Sequence, residues 1–381
     1  MQTAYFDYAA TTPVDPVVAE KMIQYLMPDG CFANPASRAH MPGWFAEQAV
    51  EEARLKIAKA LNCDARELVW TSGATESNNL ALKGVAETRR QRGRHIITSA
   101  IEHKAVLDTC GWLETQGYDV TYLKPDQKGV ITAEQVADAI TDQTILASFM
   151  MVNNELGSIN DIAAIGDVLK ARDIVFHVDA AQAGGKLPID LKALPVDLMS
   201  FSGHKVYGPK GIGTLYVRRD PDLKVAAQIH GGGHERGMRS GTLPTHQIVG
   251  MAEAFTLATQ RMEQDKQHIS VLREQLWLGI SSLPDVTING DADGYPGIIN
   301  LCFSGVDGEA LLMAIKDIAV STGSACNSAS VDPSYVLSGI GLPREKALSS
   351  LRFSLGRFTT ESEVEQAIDI VVKAVTALRG Q

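Results

Sequence analysis

Between residues 66 and 217 short apolar runs rich in β-branched and aromatic residues recur along the chain: ELVWTS, HIITSA, DVTYL, TILASFMMV, IVFHVD, VDLMSF and GTLYV. Helical patterns separate them. Between TILASFMMV and IVFHVD, for example, Ile162, Ile165, Val168 and Leu169 recur at helical spacing behind a cap at Asn160 or Asp161, which makes one βαβ unit. The alternation predicts a doubly wound α/β sheet, mostly parallel and buried on both faces. After about residue 260 the pattern changes to a long polar helix, RMEQDKQHISVLREQLW, then strand-like IINLCF, then LRFSLG and a final helix. That helix carries a capping-box signature at Thr360 and Glu363, with Val364, Ile368, Val371, Val375 and Leu378 in one apolar stripe. A large domain over residues 15–260 and a smaller α+β domain built from 1–14 and 261–381 are the expected division.

Composition narrows the function. Hydrophobic residues at 45% and charged residues at 21% describe an ordinary globular chain, long enough at 381 residues to bury a large core. The net charge of -10 argues against direct nucleic-acid binding and against a membrane surface, so any anion site must be local. No apolar run is long enough to span a bilayer, and no basic-then-apolar leader opens the sequence, which makes the cytoplasm the default location. The five cysteines, Cys31, Cys63, Cys110, Cys302 and Cys326, form no CxxC pair, so neither a disulfide framework nor a metal site is expected.

Ligands of open α/β sheets bind beyond the carboxyl ends of the strands. Here those positions are polar: Gly73-Ala74-Thr75-Glu76, Glu102-His103, Asn153-Asn154-Glu155, Asp179 with Gln182, and Ser202, His204 and Lys205. Singly, each has a plain structural reading: Lys205 as a solvated turn lysine, Asp179 or Thr75 as a helix cap, His103 as a partly buried histidine. Together they supply an amine for a Schiff base, an acid for a pyridine nitrogen, and a helix N-terminus with hydroxyls for a phosphate, which describes a pyridoxal phosphate site.

Long stretches strengthen that picture: DYAATTPVDP, NPASRAH, TSGATESNN, EHKAVLDTC, VNNELG, HVDAAQ, SFSGHKVYGPKG, HGGGHERGMRSGTLP, STGSACNSAS and LRFSLGRFTT. On these motifs, which cover nearly the whole chain, the sequence resembles the cysteine desulfurases of the class V aminotransferase group, especially the bacterial iron-sulfur-cluster branch. The resemblance implies the fold type I of pyridoxal phosphate enzymes, with Lys205 linked to the cofactor, Asp179 on the pyridine nitrogen, Gln182 on the ring hydroxyl and His103 stacked over the ring. It further implies Ala74, Thr75, Ser202 and His204 around the phosphate, and Asn154 on cofactor or substrate. Arg352 would clamp the substrate carboxylate with Asn34 nearby, a task suited to bidentate guanidinium geometry. Thr242 would reach the phosphate of the other subunit of a homodimer.

Cys326 lies in STGSACNSAS, where small and polar residues replace any apolar period, so an exposed loop is expected there. Cys302 in IINLCF and Cys110 in a helical stretch suit packing instead. Residues 231–242, GGGHERGMRSGT, lack the Gly-Lys-Ser/Thr of a phosphate-binding Walker loop, and His230 with His234 is too thin for a metal. The implied activity is conversion of L-cysteine to L-alanine, with sulfur leaving as a persulfide on Cys326 for an acceptor protein: a cluster scaffold, a tRNA-thiolation relay or a DNA-phosphorothioation pathway. Two rivals are a selenocysteine lyase or other enzyme of this fold, for which Cys326 is dispensable, and a non-enzymatic sulfur-relay scaffold, against which Lys205, Asp179 and His103 count.

Overall fold

The computed structural model describes residues 3–322 and 332–380. Along the chain run β1 (Ala4–Tyr5), β2 (Leu68–Thr71), β3 (His95–Ser99), β4 (Asp119–Leu123), β5 (Thr144–Met150) and β6 (Val175–Asp179). They are followed by β7 (Leu198–Ser202), β8 (Gly213–Val217), β9 (Val286–Asn289), β10 (Ile298–Phe303), β11 (Ile318–Ala319) and β12 (Ser350–Ser354). The main sheet has seven strands in the order β2-β8-β7-β6-β5-β3-β4. Strands β7, β6, β5, β3 and β4 are mutually parallel, while β8 runs antiparallel to both of its neighbours. Because β2 and β7 both oppose β8, they point the same way. The carboxyl ends of β2, β3, β5, β6 and β7 therefore share one edge.

Alternation along each strand sorts side chains onto the two faces. Val69, Ile96, Leu146, Val175, Leu198 and Leu215 pack with residues of the helices Ala74–Arg89 and Lys104–Thr115. Trp70, Ile97, Ala147, Phe176, Met199 and Tyr216, each the next residue, join the opposite core with the helices Met41–Leu61 and Ile162–Lys170. Of the two candidate caps of Ile162–Lys170, Asp161 is the one used, accepting from the Ala164 N–H at 3.0 Å. Asn160 is buried instead, bonded to Ile131 N and Met150 O.

A third core gathers Phe6, Leu301, Phe303, Leu351 and Phe353 around the antiparallel sheet β12-β10-β9, with Val364, Val371 and Val375 from the helix Glu361–Arg379. Thr360 and Glu363 form the capping box expected of that helix. The polar helix read at 261–277 is longer than its sequence pattern suggests, running from Thr245 to Ile280. Its first half, including Ile248, Met251, Ala252 and Phe255, is buried against the large sheet, so it lacks the one-sided period that marks a surface helix. Its second half contributes Ile269, Leu272, Leu276 and Ile280 to the smaller core.

The chain's start joins the two. β1 pairs in parallel with β11, Phe6 enters the small core, and the Thr12 N–H donates to His204 O at 2.9 Å at the edge of the large sheet. Truncating buried Leu276 to Ala should cost about 2–5 kcal/mol of unfolding free energy, through lost transfer energy and the cavity left behind. Urea unfolding followed by circular dichroism checks this, and an unchanged midpoint would contradict the packing.

Candidate active site

The shared carboxyl edge borders a cavity of about 670 Å³. Its lining includes Ala74 and Thr75 after β2, His103 after β3, Asn154 after β5, Asp179 and Gln182 at the end of β6, Ser202, His204 and Lys205 at the end of β7, and Arg352 from β12. Each strand delivers its polar residue where the backbone leaves the sheet, so five separate stretches of sequence meet without long loops.

The helix Ala74–Arg89 opens on Gly73, and no side chain caps it. Its first-turn N–H groups therefore have no side-chain acceptor, which with the helix dipole makes an anion cradle. Gly73 has φ +155, a conformation that side chains rarely adopt. A Cβ on the facing Gly213 would stand 2.6 Å from the Gly73 Cα, so the close approach needs glycine at 213, while Gly73 is favoured by its backbone angle. Thr75 is not the cap; it lies inside the first turn. Glu76 in that turn is paired with Arg239, at 2.8 Å between Oε1 and Nε.

Asp179 is buried and accepts from Asn78 Nδ2 at 2.7 Å and from the Ala181 N–H at 2.9 Å, so it is a fixed acid and not a helix cap. Behind it His177 is wholly buried between Ser148 Oγ at 2.8 Å and Ser200 Oγ at 2.9 Å, tying β5, β6 and β7 together. Desolvation drives its pKa down to about 4, so this ring is neutral. His103, exposed at the cavity, caps the helix Lys104–Thr115, its Nδ1 accepting from the Ala105 N–H at 3.1 Å. A neutral ring bonded this way carries its proton on Nε2.

Lys205 Nζ donates to two backbone carbonyls, Ala9 O at 2.5 Å and Ala10 O at 2.7 Å. Burial, with the Arg352 charge adding to it, depresses its pKa to about 8, against the pull of Asp7 and Asp179. His204 bonds Thr11 Oγ1 through Nδ1 at 3.1 Å and is pushed down to about 4 by burial and by Lys205, Lys210 and Lys186. Arg352 donates from Nη2 to Asp7 Oδ1 at 2.6 Å and from Nη1 to the Asn154 O at 2.8 Å, while its Nε and the Asn154 Oδ1 are buried and find no partner among the described residues.

The lining also includes Tyr335 and Ser321, which were not singled out from the sequence, and Glu155, which the sequence marked only as one of the polar residues after β5. Glu155 lies within VNNELG, but its role depends on Ser334, whose hydroxyl donates to Oε2 at 2.5 Å from far along the chain. Burial raises its pKa to about 7, opposed by Ser334 and Arg352. Asp7, in DYAATTP, was likewise visible as a residue but not as the partner of Arg352.

Two expected site residues are not part of this cavity. Asn34 lines a second cavity with Arg38, Arg54 and residues 232–236, and Thr242 is exposed. Cys326 lies outside the described residues. Of the other cysteines, Cys110 and Cys302 are buried as packing residues, and burial lifts the thiols of Cys63 and Cys110 to about 12. None of these four lines the cavity.

The donor set fits pyridoxal phosphate: a largely desolvated amine for its aldehyde, a buried carboxylate for its ring nitrogen, an uncapped helix start for its phosphate, and an Asn154 oxygen with no partner among the described residues. Such a cavity at the carboxyl edge of a doubly wound sheet defines a pyridoxal phosphate enzyme. The family model for aminotransferase class-V matches residues 4–367, and the chain belongs to that family. Within it, the chain is similar to the cysteine desulfurase IscS of Klebsiella pneumoniae, 59% identical over 98% of this chain and 93% of that one. Among solved structures it is similar to a NifS-like protein, with a TM-score of 0.92 and 37% identity over 99% of this chain and 100% of the other. It is also similar to SspA in complex with cysteine, with a TM-score of 0.84 and 43% identity over 94% and 100%.

A lysine held near 8 offers its free amine at lower pH than one at the usual 10.5. Apo-protein should therefore capture pyridoxal phosphate at a rate that climbs with pH through a midpoint near 8, followed by stopped-flow absorbance. A climb centred near 10.5 would show that the cavity does not desolvate Lys205.

Proposed function

We propose that this chain is a pyridoxal phosphate-dependent cysteine desulfurase that takes L-cysteine to L-alanine and leaves the sulfur as a persulfide on Cys326. The observation that carries the reading is the amine of Lys205, set among Asp179, Arg352 and an open helix N-terminus and pushed toward its free-base form. The names of the relatives, cysteine desulfurase and a structure with cysteine bound, support it.

When bound, pyridoxal phosphate supplies an aldehyde for linking amines and a ring that takes up the electron pair left at the substrate α-carbon. Ala74, Thr75, Ser202 and His204 hold its phosphate, Gln182 its ring hydroxyl, and Asn154 contacts cofactor or substrate. Asp179 keeps the proton on the ring nitrogen. Lys205 would hold the cofactor through Nζ and, once free, take the α proton there. His103 would lie beside the ring and assist that transfer. Arg352 pairs with the substrate carboxylate, which arrives where Asp7 and the Asn154 carbonyl already fix the guanidinium.

The Cys326 thiolate attacks the substrate sulfur. One S–S bond forms, the substrate C–S bond breaks, and the β-carbon takes the electron pair and then a proton. L-cysteine and a thiol thus give L-alanine and a persulfide, with no outside oxidant, and the persulfide passes to an acceptor protein. Residues 15–260 form the cofactor-binding unit, and 1–14 with 261–381 the smaller unit that carries Cys326. Thr242, outside the cavity of its own chain, serves that of a second copy in a homodimer.

Two variants test the chemistry. Lys205→Ala should lose alanine formation while keeping its fold. Cys326→Ser should keep the yellow colour with pyridoxal phosphate and still bind L-cysteine, yet gain no sulfur. Mass spectrometry after treatment with L-cysteine reads the outcome: an added sulfur on the Cys326 peptide of the unaltered protein is expected. Sulfur found only on Cys31, Cys63, Cys110 or Cys302 would defeat the assignment.

A further inference from the structure

None of these roles uses Lys186, which lies behind the cavity-lining Gln182. Lys186 follows the turn after β6, half-buried, with its Nζ donating to Gln182 Oε1 at 2.9 Å and lying 5.5 Å from the centre of the Tyr295 ring. Gln182 Nε2 in turn donates to the Ala9 O at 2.7 Å, the same carbonyl that accepts from Lys205 Nζ at 2.5 Å. Two amines are thus joined through one amide and one carbonyl.

A charged lysine has three donors and no acceptor, and a backbone carbonyl only accepts. Between them the amide of Gln182 has one orientation that satisfies both: oxygen toward Lys186, nitrogen toward Ala9. Nitrogen carries two hydrogens, Ala9 takes one, and Gln182 lines the cavity with its donor edge. We propose that Lys186 is a positioning residue, holding the buried Gln182 amide by its oxygen so that the N–H edge stays turned to Ala9 and the cavity.

Without Lys186 the amide oxygen is buried and unpaired, a loss comparable to a broken hydrogen bond to a charged group. It regains a partner by rotating toward solvent in the cavity, which turns the donor edge away and sets an acceptor before the ring hydroxyl. Burial lowers the Lys186 pKa to about 7, with the Lys205 charge adding to it, so the amine reaches Gln182 charged below that pH and as a neutral donor above it. Facing them from the other elements are Asp7, Asp179, His204 and Arg352, all untouched by substitution at 186.

The inference rests on the reading of Lys205 and Gln182 given above, and its test separates the two. Lys186→Met and Lys186→Ala are compared with Lys186→Arg, which keeps both charge and donors. Apo-protein of the first two should bind pyridoxal phosphate about tenfold more weakly. The pH midpoint of the holoenzyme's visible absorbance should rise by about one unit, since a lost donor to the ring hydroxyl favours the protonated form. Lys186→Arg should restore both. An unmoved midpoint in Lys186→Met, or in Lys186→Ala should the methionine variant not fold, overturns the proposal, even if affinity falls, because weakened packing alone lowers affinity without moving that midpoint. Failure of the unaltered apo-protein to turn yellow with pyridoxal phosphate would instead remove the underlying reading.

Discussion

The amine of Lys205 is drawn largely out of water, and its hydrogen-bond partners are two backbone carbonyls, Ala9 and Ala10. Desolvation without a bonded carboxylate is what makes this lysine reactive, because the charged form loses more than the neutral one. The arrangement obliges the first residues of the chain to lie at the edge of the large sheet. They do so by leaving the small core after Phe6, bridging β12 at Asp7 and bonding His204 through Thr12. The same stretch supplies the carboxylate that orients Arg352. One desolvated cation therefore couples the N-terminus, the large sheet and the small sheet.

The rest of the site follows from where parallel strands end. A buried strand carries mostly apolar residues on both faces, and its polar ones either pair with one another, as His177 does with Ser148 and Ser200, or stand where the strand emerges. Such a cavity needs stiff support, and the structure supplies it beneath the lining residues. Neutral His177 spans three strands under Asp179, and Asn78 and the Ala181 N–H fix the carboxylate itself. Gly213 lets β8 pass close to Gly73 at the end of β2, where the helix start borders the same cavity as Ser202 and His204. Electrostatics then divide the labour among the buried acids. Glu102, wholly buried, is pushed well above the usual carboxylate range chiefly by desolvation, whereas Asp179 is met by two donors.

Much of this was legible beforehand, for a physical reason. Strand periodicity, the capping box at Thr360 and Glu363, and the polar residue after each apolar run are local features, written in neighbouring positions. Fold class, the cavity edge and the set Lys205, Asp179, Gln182, His103 and Thr75 could be placed from them, and long motifs carried the family. Patterns that depend on burial from all sides were less visible. The first half of the helix Thr245–Ile280 has no polar face to announce it, so its start escaped the pattern.

Tertiary structure alone decided the pairings between distant positions. Arg352 with Asp7, Glu155 with Ser334, and Lys186 with Gln182 and through it Ala9 join residues whose local contexts say nothing of one another. It also kept Asn34 and Thr242 out of the cavity that gathers the other site residues of the same chain. Sequence determines which side chains exist and how the backbone near them repeats. Only the packed fold sets how much water each retains and which charge stands beside it, and those two quantities turn Lys205 from a surface cation into a reactive amine.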